Sequence, residues 1–159
     1  NPDCPVTRAY HTPDRKMAAL YEEIDDEDVV WLAINSGAPG KQGNGLERNQ
    51  KAVADYEVAY PVLIDEDGAV GKAYGAKTTP HMFVIDKNGG LAYDGEIDND
   101  TSGNGAPDTR VNYVERAIES LVKGSAVEMA STKPYGCGVK YAKGKPQGKK
   151  HKHGIGDDE

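Results

Sequence analysis

NPDCPVTRAY, residues 1–10, places Cys4 between two prolines where a helix begins. A thiol at a helix N-terminus meets free backbone N–H groups and the positive end of the helix dipole, and both favour thiolate over thiol. Pro5 suits the first helical position, where its missing N–H leaves no bond unmade. Much further along, Thr79–Pro80 lies between a Gly-rich turn and the apolar run HMFVID (81–86). We read these two places as meeting in space to form one thiol site.

Working outward from Cys4, Thr12–Pro13 interrupts the first helix near His11, and a second helix is expected over roughly 13–24. Met17, Leu20, Tyr21 and Ile24 fall on one face of it. VVWLAIN (29–35) is a nearly continuous apolar run, as in a strand covered on both faces. SGAPGKQGNG (36–45) has the glycines of a phosphate loop without its Lys–Ser/Thr ending, so it reads as a connection. A helix over about 46–57, the strand PVLID (61–65), the turn DEDG (65–68) and a short helix ended at Gly75 follow. HMFVID, the turn KNGG and LAYDGEI (91–97) read as an antiparallel hairpin. After a polar loop over 98–108, Val111, Val114, Ile118, Leu121 and Val122 mark a last helix. The order is that of an α/β domain closing on a hairpin and a helix.

The 159 residues fit one domain, and their net charge of −7 is unevenly spread. Residues 139–153 carry six Lys and no acid, leaving 13 Lys/Arg against 23 Asp/Glu in residues 1–138. An acidic body argues against nucleic-acid binding, and the basic, Gly/Pro-rich tail (142–159) reads as disordered and solvated. His151 and His153 on that tail make only a weak metal site. No apolar run approaches the roughly 20 residues of a membrane span. The first residue is Asn1 rather than Met, so the chain reads as processed or truncated. Two cysteines, Cys4 and Cys137, cannot make a disulfide framework, and no CxxC is present. The glycines of KPYGCGVKY (133–141) suggest that Cys137 lies on an exposed, mobile loop.

NPDCP opening a helix, VVWLAINS (29–36), YPVLIDEDGAVGKAYGAKTTPHMFVIDKNG (60–89) and the closing helix together resemble the thioredoxin-like redoxins. More narrowly they resemble the alkyl hydroperoxide reductase/thiol-specific antioxidant group, over nearly the whole chain to about residue 141. The resemblance implies a thioredoxin-like fold, a central mixed sheet flanked by helices. It implies that Cys4 is the redox-active or peroxidatic thiol. Thr79–Pro80 would be held cis beside it, presenting a backbone edge to an incoming substrate strand, with Thr78 and His81 flanking. An X-Pro bond is where cis is cheap. No bound cofactor is needed, the partners being a peroxide or a disulfide and an external thiol reductant. The family also suggests an exported or periplasmic bacterial protein.

The departures carry information too. Dithiol relatives place a second Cys three residues after the first, where this chain has Thr7. That hydroxyl can hydrogen-bond a thiolate but cannot close a disulfide. Peroxiredoxins place Thr or Ser three residues before the peroxidatic Cys, and Asn1 stands there. The fold expects a strand just before the active Cys, in the middle of the sheet. Its absence reads as an N-terminally truncated, poorly stable domain over 1–124, with VVWLAIN and HMFVID parted by a lost strand. An extension over 125–141 carries Cys137.

For Cys137 two readings stand: a resolving thiol that attacks oxidised Cys4, and an incidental thiol. For the whole protein two functions stand as well. One is a thiol oxidoreductase in which Cys4 reduces a peroxide or exchanges a disulfide. The other is a non-catalytic thioredoxin-fold binding module. Trp31, Phe83 and most tyrosines read as core, His11 and His81 as structural, Arg8 as solvent-facing, and Asp94, Asp98 and Asp100 as a polar loop rather than a metal cluster.

Overall fold

The computed structural model describes residues 1–12, 17–24, 28–101 and 105–143. The elements in chain order are α1 (Pro5–Ala9), α2 (Met17–Ile24), β1 (Ala33–Asn35), α3 (Leu46–Asp55), β2 (Val62–Ile64), α4 (Ala69–Ala73), β3 (Thr78–Thr79), β4 (Met82–Ile85), β5 (Leu91–Gly95), α5 (Tyr113–Val122) and β6 (Cys137–Gly138). A 3₁₀ turn at Pro107–Thr109 precedes α5. The basic tail from residue 144 on, with His151 and His153, lies outside the described residues, as do residues 13–16 of the expected second helix.

The α/β order is as expected, but the sheet is divided into three two-stranded ladders. β1 pairs β2 in parallel, β3 pairs β6 antiparallel, and β4 pairs β5 antiparallel. Among the described residues no strand precedes Cys4, and β1 and β4 each pair on one side only. The run VVWLAIN was expected to be covered on both faces, yet Val30, Leu32 and Ile34 are exposed, as is Leu63, the register partner of Ile34. With no ladder on its other side, only Ala33–Asn35 of that run is strand.

Helix boundaries follow local chemistry. Asn112 caps α5, its side-chain oxygen accepting from the N–H groups of Val114 and Glu115 at 3.1 Å each. Val114, Ala117 and Ile118 form the buried stripe of that helix, and Val122, expected on the same face, is exposed. In α2 the buried residues are Met17, Leu20 and Ile24. The β4–β5 hairpin turns where Asp86 accepts from the N–H groups of Asn88 and Gly90 at 2.8 Å each. Leu20, Ile24, Tyr93, Val114, Ala117 and Ile118 make one core cluster; Tyr10, Met17, Tyr60 and Ile97 make a second. Half-buried Trp31 and Met82 pack against both and join them.

Burial pushes the phenols of Tyr60 and Tyr93 up to about 12. An unfolded tyrosine ionises near 10, so between about pH 10 and about pH 12 only the unfolded chain releases these protons. Stability from these two groups is therefore complete below about pH 10 and falls as the pH rises towards 12. The urea midpoint is expected to drop across that window with phenolate absorbance appearing together with unfolding. A midpoint flat across the window, or phenolate formed while the fold persists, would contradict this.

Candidate active site

Cys4 is the N-cap of α1, with extended backbone (φ −74°, ψ 122°) and Pro5 at the start of the helix. Its carbonyl accepts the first helical bond, from the Arg8 N–H at 2.9 Å. Cys4 is fully buried, and its sulfur lies 3.0 Å from the Thr79 carbonyl oxygen. The Thr79–Pro80 bond is cis. The two stretches that the sequence analysis joined are therefore in contact.

Thr7 is brought to the same place. Its hydroxyl lies 3.1 Å from that of Thr79, which also accepts from the Asn1 amino group at 3.1 Å. The Thr78 hydroxyl donates to the Pro80 carbonyl at 2.8 Å. Pro80 follows directly on the carbonyl that Cys4 touches.

Cys137 departs from its expected place. It is half-buried in β6, opposite Thr79 in the antiparallel register, with Gly138 opposite Thr78. Cys137 therefore lies across the ladder from the residue whose carbonyl oxygen is 3.0 Å from the Cys4 sulfur. Both cysteines are free thiols. The extension that carries Cys137 is tied down along its length. Asp94 donates to the Ala130 carbonyl and accepts from the Thr132 N–H, both at 3.0 Å. Val139 donates to Lys77, Ala38 donates to Lys140, and the Tyr141 hydroxyl donates to the Ala76 carbonyl at 2.9 Å. Gly136 lies flat on the Thr79–Pro80 peptide, where any Cβ would run into the Thr79 carbonyl.

The electrostatics separate the two thiols. Burial opposes ionisation of Cys4, but donors aimed at its sulfur outweigh it: the Cys137 thiol, then the Thr7 N–H, the Cys137 N–H and the Thr7 hydroxyl. The net result is a thiol held below its ordinary value. The Thr79 carbonyl is satisfied only by the protonated form, and it is outnumbered by these donors. Cys137 is pushed up, first by burial, then by donating its proton to Cys4 and by the charge that Cys4 carries. Of the two, Cys4 is the more readily ionised.

His11 and His81 lie outside the contacts of the Cys4 sulfur. His11 Nδ1 lies 2.8 Å from the Thr7 carbonyl and must donate to it, which leaves Nε2 to accept from the Tyr60 hydroxyl at 2.9 Å. His81 Nδ1 accepts from the Lys77 N–H at 3.2 Å, and burial lowers its pKa, so the ring is neutral. Arg8 is exposed. Asp98 and Asp100 depart from the expected polar loop: both are buried, and Arg110 lies 3.9 Å and 3.2 Å from their carboxylates. Asp98 also accepts from the Tyr10 hydroxyl at 2.9 Å. Asp94 is half-exposed. Among the described residues no cluster of side chains has the makings of a metal site, and no helix is long and apolar enough to cross a membrane.

An α/β fold that sets a helix-capping cysteine against a cis-proline is the arrangement of thioredoxin-like redox proteins. The chain belongs to the Redoxin family, whose profile matches residues 2–112. It is 34% identical over 74 residues to a protein named thiol-disulfide oxidoreductase ResA from Geobacillus thermodenitrificans (strain NG80-2). That match spans 46% of this chain and 38% of the relative, so the chain aligns with well under half of that protein. Two solved structures resemble it over most of its length. A hypothetical protein from Sinorhizobium meliloti 1021 has 28% identity and a TM-score of 0.79, covering 91% of this chain and 77% of that one. An uncharacterized conserved protein from Geobacillus kaustophilus has 25% identity and a TM-score of 0.79, covering 89% and 74%.

Proposed function

We propose that this protein is a two-cysteine thiol oxidoreductase, with Cys4 as the attacking thiolate and Cys137 as the resolving thiol. The observation that carries the reading is Cys137 held opposite Thr79, whose carbonyl oxygen lies 3.0 Å from the Cys4 sulfur. Two electrophiles suit this thiolate. With a hydroperoxide, an S–O bond forms as the O–O bond breaks, hydroxide or alkoxide leaves and takes up a proton, and Cys4 becomes a sulfenic acid. With a disulfide, an S–S bond forms to Cys4 as the old one breaks and one thiolate leaves. The similarity to a protein named as a thiol-disulfide oxidoreductase favours the second electrophile.

Both routes converge. The Cys137 sulfur, as its proton is lost, attacks the Cys4 sulfur and expels water or the second thiolate, leaving a Cys4–Cys137 disulfide. An external thiol reductant returns two electrons and two protons. Thr7 stands in place of the second cysteine of a CxxC, its hydroxyl 3.1 Å from that of Thr79, and helps to lower the Cys4 pKa. Thr79 supplies the backbone against which the sulfur rests.

One equivalent of oxidant added to the reduced protein is expected to consume both thiols together and yield a single cross-linked peptide pair, Cys4 with Cys137, that a reductant reverses. Recovery of both cysteines as free thiols after prolonged oxidant exposure would favour a non-catalytic binding module.

A further inference from the structure

The strand edge beside Cys4 is occupied by the protein's own chain. An extended peptide offering its cysteine to a buried sulfur must first bond to a neighbouring strand edge, adding itself as one more strand. Here the Thr78–Thr79 edge next to the sulfur is filled by Cys137–Gly138, and Gly136 covers the Thr79–Pro80 peptide at a distance only glycine permits. Cys4 is left with no exposed surface. The covering segment is anchored on both sides of the site. Upstream, the Thr132 hydroxyl lies 2.7 Å from that of Tyr93 and accepts from the Glu96 N–H at 3.0 Å. Downstream, Tyr141 packs on Gly68 and Gly71.

We propose that residues 136–138 act as an internal ligand of this edge. They make the site selective for low-molecular-weight oxidants, and Gly136 is the residue that sets the selectivity. The proposal rests on Cys4 being the reacting thiol. The physical basis is competition. A tethered strand has an effective concentration on the order of millimolar, so a free peptide at micromolar concentration is disfavoured by about a thousandfold for the same edge. A small oxidant needs no strand edge, only a path to the sulfur. Cys137 is presented to Cys4 from the place a bound peptide's cysteine would take, so one segment both guards and resolves the site.

The test compares two mixed disulfides with the same leaving group, thionitrobenzoate, one made on 2-mercaptoethanol and one on the cysteine of an extended dodecapeptide. Release of thionitrobenzoate by the full reduced chain is followed by stopped flow. The wild-type protein is expected to react at least about 100-fold faster with the small reagent, given the tether's advantage. Gly136→Val, which drives the segment off Thr79, and Tyr141→Ala, which frees its far anchor, should each raise the peptide rate tenfold or more. The readout is the ratio of the two rates, since displacing the segment also moves Cys137 and changes the Cys4 thiolate fraction that both reagents share. Tyr141→Ala keeps the proposal testable where Gly136→Val does not fold. Equal wild-type rates with the two reagents, or a folded Tyr141→Ala protein with an unchanged ratio, would overturn the proposal while leaving Cys4 as the reacting thiol. Reaction with neither reagent would instead remove the Cys4 reading itself, and this proposal with it.

Discussion

Cys4→Ser is expected to abolish oxidant consumption, and Cys137→Ser to consume one equivalent and stop with Cys4 oxidised. That asymmetry is the result expected from the pair's electrostatics. Burial opposes ionisation of Cys4, but neighbouring donors hold its pKa below that of an ordinary thiol, whereas burial and the Cys4 sulfur push that of Cys137 up. Serine in place of the attacking sulfur removes the nucleophile, and the rate should fall at least about a thousandfold, as when an essential nucleophile is deleted. Serine in place of the resolving sulfur leaves the first step and removes only the second. Mass spectrometry of oxidised Cys137→Ser should therefore find Cys4 as a sulfenic acid or a mixed disulfide. The pH profile supplies a second readout. Thiolate is the reactive form, so the wild-type rate falls as the pH drops through a Cys4 pKa that lies below that of an ordinary thiol. Cys137→Ala, which removes the largest of the opposing donors, should move that midpoint upward. Full turnover by Cys137→Ser, or equal losses from both serine variants, would contradict the assignment.

The half of this site that was legible in the sequence is the half built from local chemistry. Cys4 followed by Pro5 is a helix start wherever it occurs, and a Pro after Thr79 beside an apolar run marks a constrained strand entry. Cys137 was misplaced because nothing local holds it. The glycines on either side of it read as a loop, and the ladder it joins is two residues long, too short to show any period. Its position depends on side chains far away in sequence: Tyr93 bonding Thr132, and Tyr141 reaching back to Ala76. Asp98 and Asp100 were misread for a related reason. In a stretch rich in Asp, Asn and Gly they look solvated, and partners distant in sequence, Arg110 and Tyr10 among them, make their burial tolerable. The VVWLAIN run shows the limit of the apolar pattern. It marks a strand correctly but says nothing of whether its second edge is paired, and here Val30, Leu32 and Ile34 stay exposed.

Tyr93→Ala is expected to lower the unfolding free energy by about 3–5 kcal/mol, the usual range for deleting a large buried aromatic. A domain of this size commonly has only about 5–15 kcal/mol in total, so most molecules would be unfolded at modest urea. The side chain is fully buried in the cluster with Leu20, Ile24, Val114 and Ile118, and it stacks against Tyr113 with ring centroids 6.3 Å apart. Tyr93→Phe separates two roles of this residue. The ring remains, but the hydroxyl that donates to the Glu96 carbonyl at 2.6 Å and meets Thr132 at 2.7 Å is lost. Losing hydrogen bonds to these half-buried partners should cost about 0.5–1.5 kcal/mol. The loss falls on the anchor that carries the chain from β5 towards Cys137. If the core and the thiol pair were independent, Tyr93→Phe would change the denaturation midpoint and nothing else. If Thr132 helps to hold Cys137 in register, the folded Tyr93→Phe protein should also form the Cys4–Cys137 disulfide more slowly, while the first reaction of Cys4 with oxidant keeps its wild-type rate. Measuring both steps on one sample under native conditions decides between the two, because a general loss of stability cannot slow the second step and spare the first.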